Sequence, residues 1–553
     1  MILSSEVCFP IQSNTNKSDH NLITYECLLN RPATFAWETH EYVKVTKKGT
    51  EKFNQLIKNE SWDAVKALAP DPDKMVEKFQ SILDGYVSSC FSWKRIRRKS
   101  NDSPWLTDGL RALIKKRLSI FRAEGRSLRW KRLDVSIKKT IETRKGSFFD
   151  KESERLRRTG RQSSWYNILS KITDDDALTL WSIADLEPEK SAETLAEELA
   201  LHFTSITNIA SPLLPTDVPK AKADVPSVLV PQLLVENVEK MIRDYKKPNS
   251  SVKGDIPKAL VSPLAGELAI PLTSIYNICL ADTKWPEQWK RETVIPIPKK
   301  QTPNNYNDLR PISMSPLWSK ILESVMADVT LRETKQNWKQ NQHGGIKGLS
   351  TDHVLIESWD RILRALDKSS SNKAVVFTAL DFSKSFSRCS HQEILLAYKD
   401  VGASNWLLKM QAAFLSGRSM QVKLGLHLSE PLPVTGRAIQ GSVLGILDHN
   451  VVLNNLDDDL LDIYVAKYIN DMTLVDVADN EVPTDIDTSG NRALHTIYPG
   501  RSQEAFGKIA AKAEDKGLKI NDDKTQLLSV SSSFYDTRAI IKDRQNKEIH
   551  SSD

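Results

Sequence analysis

At 553 residues the chain is long enough for about two to four folded units, and 40% hydrophobic with 27% charged residues excludes a wholly disordered polymer. Five scattered cysteines, Cys8, Cys27, Cys90, Cys279 and Cys389, with no Cys-x-x-Cys spacing, exclude a cysteine zinc or redox motif and fit reduced thiols inside a cell. The net charge of +6 is uneven: residues 94–161 hold 23 Lys and Arg against 8 Asp and Glu, a balance of +15 that leaves −9 for the rest, as expected of a surface for a polyanion such as nucleic acid.

No apolar run is expected to span a bilayer, and the N-terminus lacks a basic region followed by an apolar stretch and a cleavage site, so neither membrane insertion nor secretion is expected. Residues 1–30 are too short for a domain and end in Ser18-Asp19-His20-Asn21 before the strand-like Leu22–Tyr25. Residues 31–206 read as a mainly helical basic connector. Ser103 with Pro104 predicts a helix start, and Leu106, Leu110, Leu113, Ile114, Leu118 and Phe121 keep helical spacing. Leu133, Ile137 and Ile141 predict a second long helix, basic through Arg161. Charge runs are usually solvated faces. Here the excess is one-sided and carries Trp93, Trp105, Trp130 and Trp165, which favours phosphate contact with aromatic stacking.

Prolines 212, 215, 219, 226 and 231 mark 207–235 as a linker or extended connection. Beyond it, strand-like runs at 293–297, 374–380, 420–424, 463–468 and 472–477 alternate with helical patterns, an α+β arrangement over 236–530, and 531–553 reads as a polar tail. Two carboxylates stand out: Asp381 ends a buried-strand pattern, and Tyr468-Ile469-Asn470-Asp471 falls at a hairpin tip between β-prone runs. Such facing acidic strand ends can hold the two divalent ions of nucleotidyl transfer, and hard oxygen donors suit Mg2+. Each alone is more often simple turn chemistry.

Motif order adds to this. Lys247–Pro257, Trp285-Pro286, Val294–Lys300, Leu309-Arg310-Pro311-Ile312-Ser313, Gln342-His343-Gly344, Asp381 with Phe386, Gln440-Gly441-Ser442-Val443-Leu444-Gly445, Tyr468–Asp471 and Gly517–Asn521 with Lys524 follow one another. In that order they resemble the reverse-transcriptase domain of non-LTR, LINE-like retrotransposons of the jockey or chicken-repeat type. The resemblance implies a right-hand polymerase fold with fingers, palm and truncated thumb, acting on an RNA template and a DNA primer with deoxynucleoside triphosphates and Mg2+. It implies Asp381 and Asp471 as catalytic metal ligands, Asn470 in place of a ligand Asp, and Arg310, with Lys299, on the triphosphate. Phe386 would screen the ribose 2′-hydroxyl, Gln440 and Gly441 would position primer and template, and Lys524 would sit at the leaving group. Gly345, Ser387, Ile439, Ile446 and His449 depart from the family pattern. The basic connector and a remnant endonuclease motif at His20 extend the resemblance. With one ligand charge missing, impaired activity is expected; the alternative is a catalytically silent nucleic-acid-binding protein.

Overall fold

The computed structural model describes residues 2–8, 12–13, 16–17, 22–27, 37–99, 105–158, 186–187, 189–208, 210–223, 225, 229–245, 256, 258–300, 303–367, 373–425, 427–460, 463–479, 495–497, 500–531, 537–543, 545 and 547–550. His20, Ser103-Pro104, Arg161, Trp165 and Lys247–Asp255 lie outside them. The chain is a mixture of helix and sheet in two units: Met1–Tyr42 with Lys94–Leu195 and Lys300–Asn305, and Val43–Trp93 with Ala196–Lys299 and Tyr306–Asp553.

The smaller unit holds the basic segment as two helices, α1 (Asp108–Glu124) and α2 (Leu128–Arg158). The first of them runs from Asp108, where the Thr107 hydroxyl accepts from the Leu110 amide and supplies the cap; the expected start at Ser103-Pro104 lies outside the described residues. Asp134, nearly buried, binds Arg117 at 2.5 Å and Lys138 at 3.0 Å, so part of the basic charge is neutralised within the pair. Trp105 and Trp130 are not free platforms. Trp105 packs on Phe148 and Phe149 under Lys145, and Trp130 packs on Phe121 with Arg126 over it.

The larger unit includes 43–93, which the sequence suggests as connector. Helices Lys47–Lys58 and Pro72–Cys90 bury Phe53, Ile57, Val76, Phe79 and Leu83, and the Phe79 ring meets Trp318 edge-on at 5.5 Å. The Pro-rich stretch lies on this unit: the Ala221 amide donates to Asn405 and the Asn208 amide group to the Pro433 carbonyl. Among the described residues one helix, Ser262–Asp282, is long and apolar enough to cross a membrane, with mean hydropathy 1.4, although Glu267 interrupts it; 61% of its most apolar stretch is buried inside the protein, among the core side chains.

Two sheets organise the unit. In the first, β1 (Arg291–Pro298) pairs antiparallel with β2 (Leu309–Met314) and parallel with β4 (Arg418–Leu424). The second is antiparallel, with β5 (Tyr464–Tyr468), β6 (Asp471–Asp479), β3 (Lys373–Asp381) and β7 (Gln526–Ser531) in that order. β3 is central and buried on both faces, which its Ala-Val-Val start allows: Val375 packs with Val475 and Ile362 of α3 (Thr351–Asp367), while Val376 and Leu380 join the main core. After Ser531, where the sequence suggests a polar tail, Thr537–Lys542 and Glu548–His550 form a small sheet with His495–Ile497, and the consecutive apolar residues Ala539, Ile540 and Ile541 are all buried there.

Candidate active site

The register of β3 against β6 pairs Asp381 with Asp471 directly. Side chains at directly opposed positions of an antiparallel pair share a face, with Cβ atoms about 5 Å apart. β5 and β6 are joined by Ile469 and Asn470, with Tyr468 opposite Asp471. Ile469 takes φ +58, a conformation that a β-branched residue rarely adopts. What holds it is a clasp. The amide of His343 donates to the Lys467 carbonyl and that of Lys467 to the Asn341 carbonyl, each at 2.8 Å. Gly344 then lies so close that a Cβ on it would stand 2.3 Å from the Ile469 nitrogen.

Asp381 is tied down by the segment that follows Gly517. The Asn521 amide donates to its carbonyl at 2.8 Å, the Asn521 side chain approaches Oδ2 at 3.3 Å and Lys524 Nζ at 3.4 Å. Burial, then the charge of Asp381, raises the pKa of Asp471, while Lys524 opposes both. Asn470 Nδ2 lies 3.3 Å from Asp471 Oδ1. The Asn470 side chain thus brings a donor to its neighbour's charge.

Cations gather on the approach to this pair. Lys299 Nζ donates to the Asn307 carbonyl at 2.8 Å and Lys384 Nζ to the Asn307 side chain at 2.6 Å. Partial burial holds the Lys299 ammonium below its ordinary value, as do the charges of Lys384, Arg310 and Lys524. Mutually repelling cations are a binding surface for a multiply charged anion. Sequence reasoning passed over Lys384, although it stands three residues after Asp381, and over the tie from Asn521. Arg310 is exposed on β2, opposite Ile297.

Gln440 and Gly441 are clamped to β2. The Ser313 amide donates to the Gln440 carbonyl at 2.8 Å, and a Cβ on Gly441, at φ +112, would lie 2.6 Å from the Ser313 carbonyl oxygen. Beneath them Arg437 and Arg418 both bind the buried Glu292, Arg418 Nε at 2.6 Å. Burial pushes the Glu292 carboxyl up, but the two guanidinium groups outweigh it and hold it below its ordinary value. Phe386, on the short helix Ser385–Arg388, stacks on His449 of α4 (Leu444–Leu453).

Residues 297–550 match the family model of reverse transcriptase (RNA-dependent DNA polymerase). That span holds a reverse-transcriptase domain. It contains Asp381, Asp471, Asn470, Arg310, Phe386, Gln440, Gly441 and Lys524, together with Lys299 and Lys384. Among solved structures, an apo telomerase from Candida tropicalis, truncated from its C-terminal domain, is similar at 12% identity and a TM-score of 0.32, over 45% of this chain and 51% of that one. The chain spans about half the length of that structure. Reverse-transcriptase domains use divalent metal ions. Among the described residues no group of three or more His, Cys, Asp or Glu is placed to hold one. Asp381 and Asp471 bring two carboxylates, hard oxygen donors, to one place, and Asn470 beside them adds no charge. Burial and the charge of Asp381, which together raise the Asp471 pKa, are what a bound cation would offset.

Proposed function

We propose that the chain is the RNA-directed DNA polymerase part of a non-LTR retroelement protein, with the four-stranded sheet as palm and β1 and β2 in the fingers, and with nucleotidyl transfer weakened by Asn470. The observation that carries this reading is the register that opposes Asp381 and Asp471 inside the reverse-transcriptase match. Primer and RNA template would be positioned by Gln440 and Gly441. Arg310, Lys299 and Lys384 would bind the triphosphate of the incoming deoxynucleotide, and Phe386 would exclude a ribose 2′-hydroxyl. Lys524 would leave Asp381 to meet the departing pyrophosphate as acid or phosphate anchor. Magnesium, held by Asp381, Asp471 and the Asn470 oxygen, would supply positive charge for the attacking and leaving oxygens. A missing ligand charge that withholds about 4 kcal/mol from the transition state slows transfer on the order of a thousandfold.

A second reading, a silent nucleic-acid-binding protein, is favoured by one observation: Lys524 already answers the charge of Asp381. Extension of a DNA primer on an RNA template separates the two. The Asn470→Asp protein is expected to extend the primer with deoxynucleotides, and Asp381→Ala in the same background to abolish extension. Extension that survives Asp381→Ala contradicts the polymerase reading, and no extension by Asn470→Asp favours the second.

A further inference from the structure

The ring of Phe386 lies face to face on the imidazole of His449, with centroids 4.2 Å apart and planes 8° apart. His449 is fully buried, and neither ring nitrogen has a hydrogen-bond partner among the described residues. Burial pushes its pKa down to about 3, so the imidazole is neutral. A buried ring with two unpaired nitrogens is a costly filler, because an apolar side chain could take the space without giving up hydrogen bonds to water. What the imidazole supplies is a flat surface. A parallel stack ties the rotation of one ring to that of the other.

The rest of the setting keeps that surface still. A Cβ on Gly445 would lie 2.0 Å from the Ile439 carbonyl oxygen, which shows how tightly the start of α4 is pressed on the preceding loop. One residue further along α4, Ile446 meets Gly345: a Cβ there would lie 2.2 Å from Ile446 Cγ2, so the side chains at 345 and 446 fit only as a pair. The carbonyl of Phe386 accepts from the Ala438 amide at 2.8 Å. Backbone and ring of Phe386 are therefore held separately, the ring by His449 alone among the described aromatic contacts. Excluding a single hydroxyl requires a wall that does not turn about its own bond.

We propose that His449 is a positioning residue that sets the ribose discrimination of the nucleotide site by fixing the plane of the Phe386 ring. This rests on the polymerase reading above. The test is equilibrium binding of dATP and of ATP to the full chain on an RNA template with a dideoxy-terminated DNA primer, which needs no turnover. The wild-type protein is expected to prefer dATP. His449→Ala, and His449→Leu, which fills the space without a flat ring, are expected to narrow the dATP-to-ATP affinity ratio by about three- to tenfold, the worth of an aromatic pair. His449→Phe should keep the ratio, and His449→Ala should add nothing once Phe386→Ala is present. A wild-type ratio in both His449→Ala and His449→Leu, with the ratio lost in Phe386→Ala, overturns the proposal while sparing the polymerase reading. A ratio unmoved by Phe386→Ala, or no binding of either nucleotide, overturns both.

Discussion

Asp448 sits one position before His449 and is wholly buried, its Oδ1 accepting from the Tyr398 hydroxyl at 2.9 Å and the Gln411 amide at 2.7 Å. Burial, aided by the charge of Glu323, raises its pKa to about 8 against the two hydrogen bonds. The folded protein therefore holds this proton more tightly than the unfolded chain. Its contribution to stability is full below about pH 4, the ordinary carboxylate value, and is lost as pH rises toward 8. Asp448→Asn keeps both acceptor bonds and removes the titration, so the fall in Tm between pH 5 and 8 should flatten; an unchanged slope counts against this assignment. At this scale the sequence shows Asp381, because an acidic residue ending an apolar strand run is visible, and Asp471, because it follows a hairpin turn. The partners that give these residues their setting are not visible. Asn521 and His449 act on residues 140 and 63 positions away, distances across which no local pattern reports.

The β5–β6 hairpin carries Asn470 and Asp471, and its position depends on what packs behind it. Lys467 is buried in β5 and donates to the carbonyls of Leu453 at 3.1 Å and Asn454 at 2.8 Å and to Asp457, which fastens the hairpin to the end of α4. Lys467→Met should cost about 3–5 kcal/mol in urea unfolding, because it strands the Asp457 carboxylate in a buried place. Gly344→Ala forces a methyl into the Ile469 backbone and should cost about 1–3 kcal/mol while displacing the turn. A loss below about 0.5 kcal/mol in that variant, the range of ordinary surface changes, contradicts the clasp. Strands were legible as elements: all five strand-like runs fall in strands, since β-branched runs bounded by turn residues have few other solutions. The ends of elements were harder to read. The cap of α1 at Thr107 has no apolar run before it to announce it, and Ala539, Ile540 and Ile541 are three buried residues in an otherwise polar stretch.

Across the whole molecule the charge is segregated. The unit with α1 and α2 carries the excess, with Lys115, Lys116, Lys131 and Arg132 exposed. Because Trp105 and Trp130 pack internally, we expect this unit to grip nucleic acid through phosphates and without sequence preference. Replacing those four residues by Gln should make the dependence of log K on log salt for single-stranded RNA shallower by about 0.7 for each phosphate no longer neutralised; an unchanged slope assigns the binding elsewhere. The charge excess was legible in composition, whereas the folding of residues 43–93 into the larger core was not, because Phe53, Trp62 and Phe79 find partners such as Trp318 far along the chain. We propose that the opposed pair Asp381 and Asp471 is one ligand charge short at Asn470. The most direct measurement of this is the rate of single-nucleotide addition to a DNA primer on an RNA template with magnesium, for this chain and for Asn470→Asp side by side. We expect the substituted protein to be faster by on the order of a hundred- to a thousandfold, and equal rates would contradict the account.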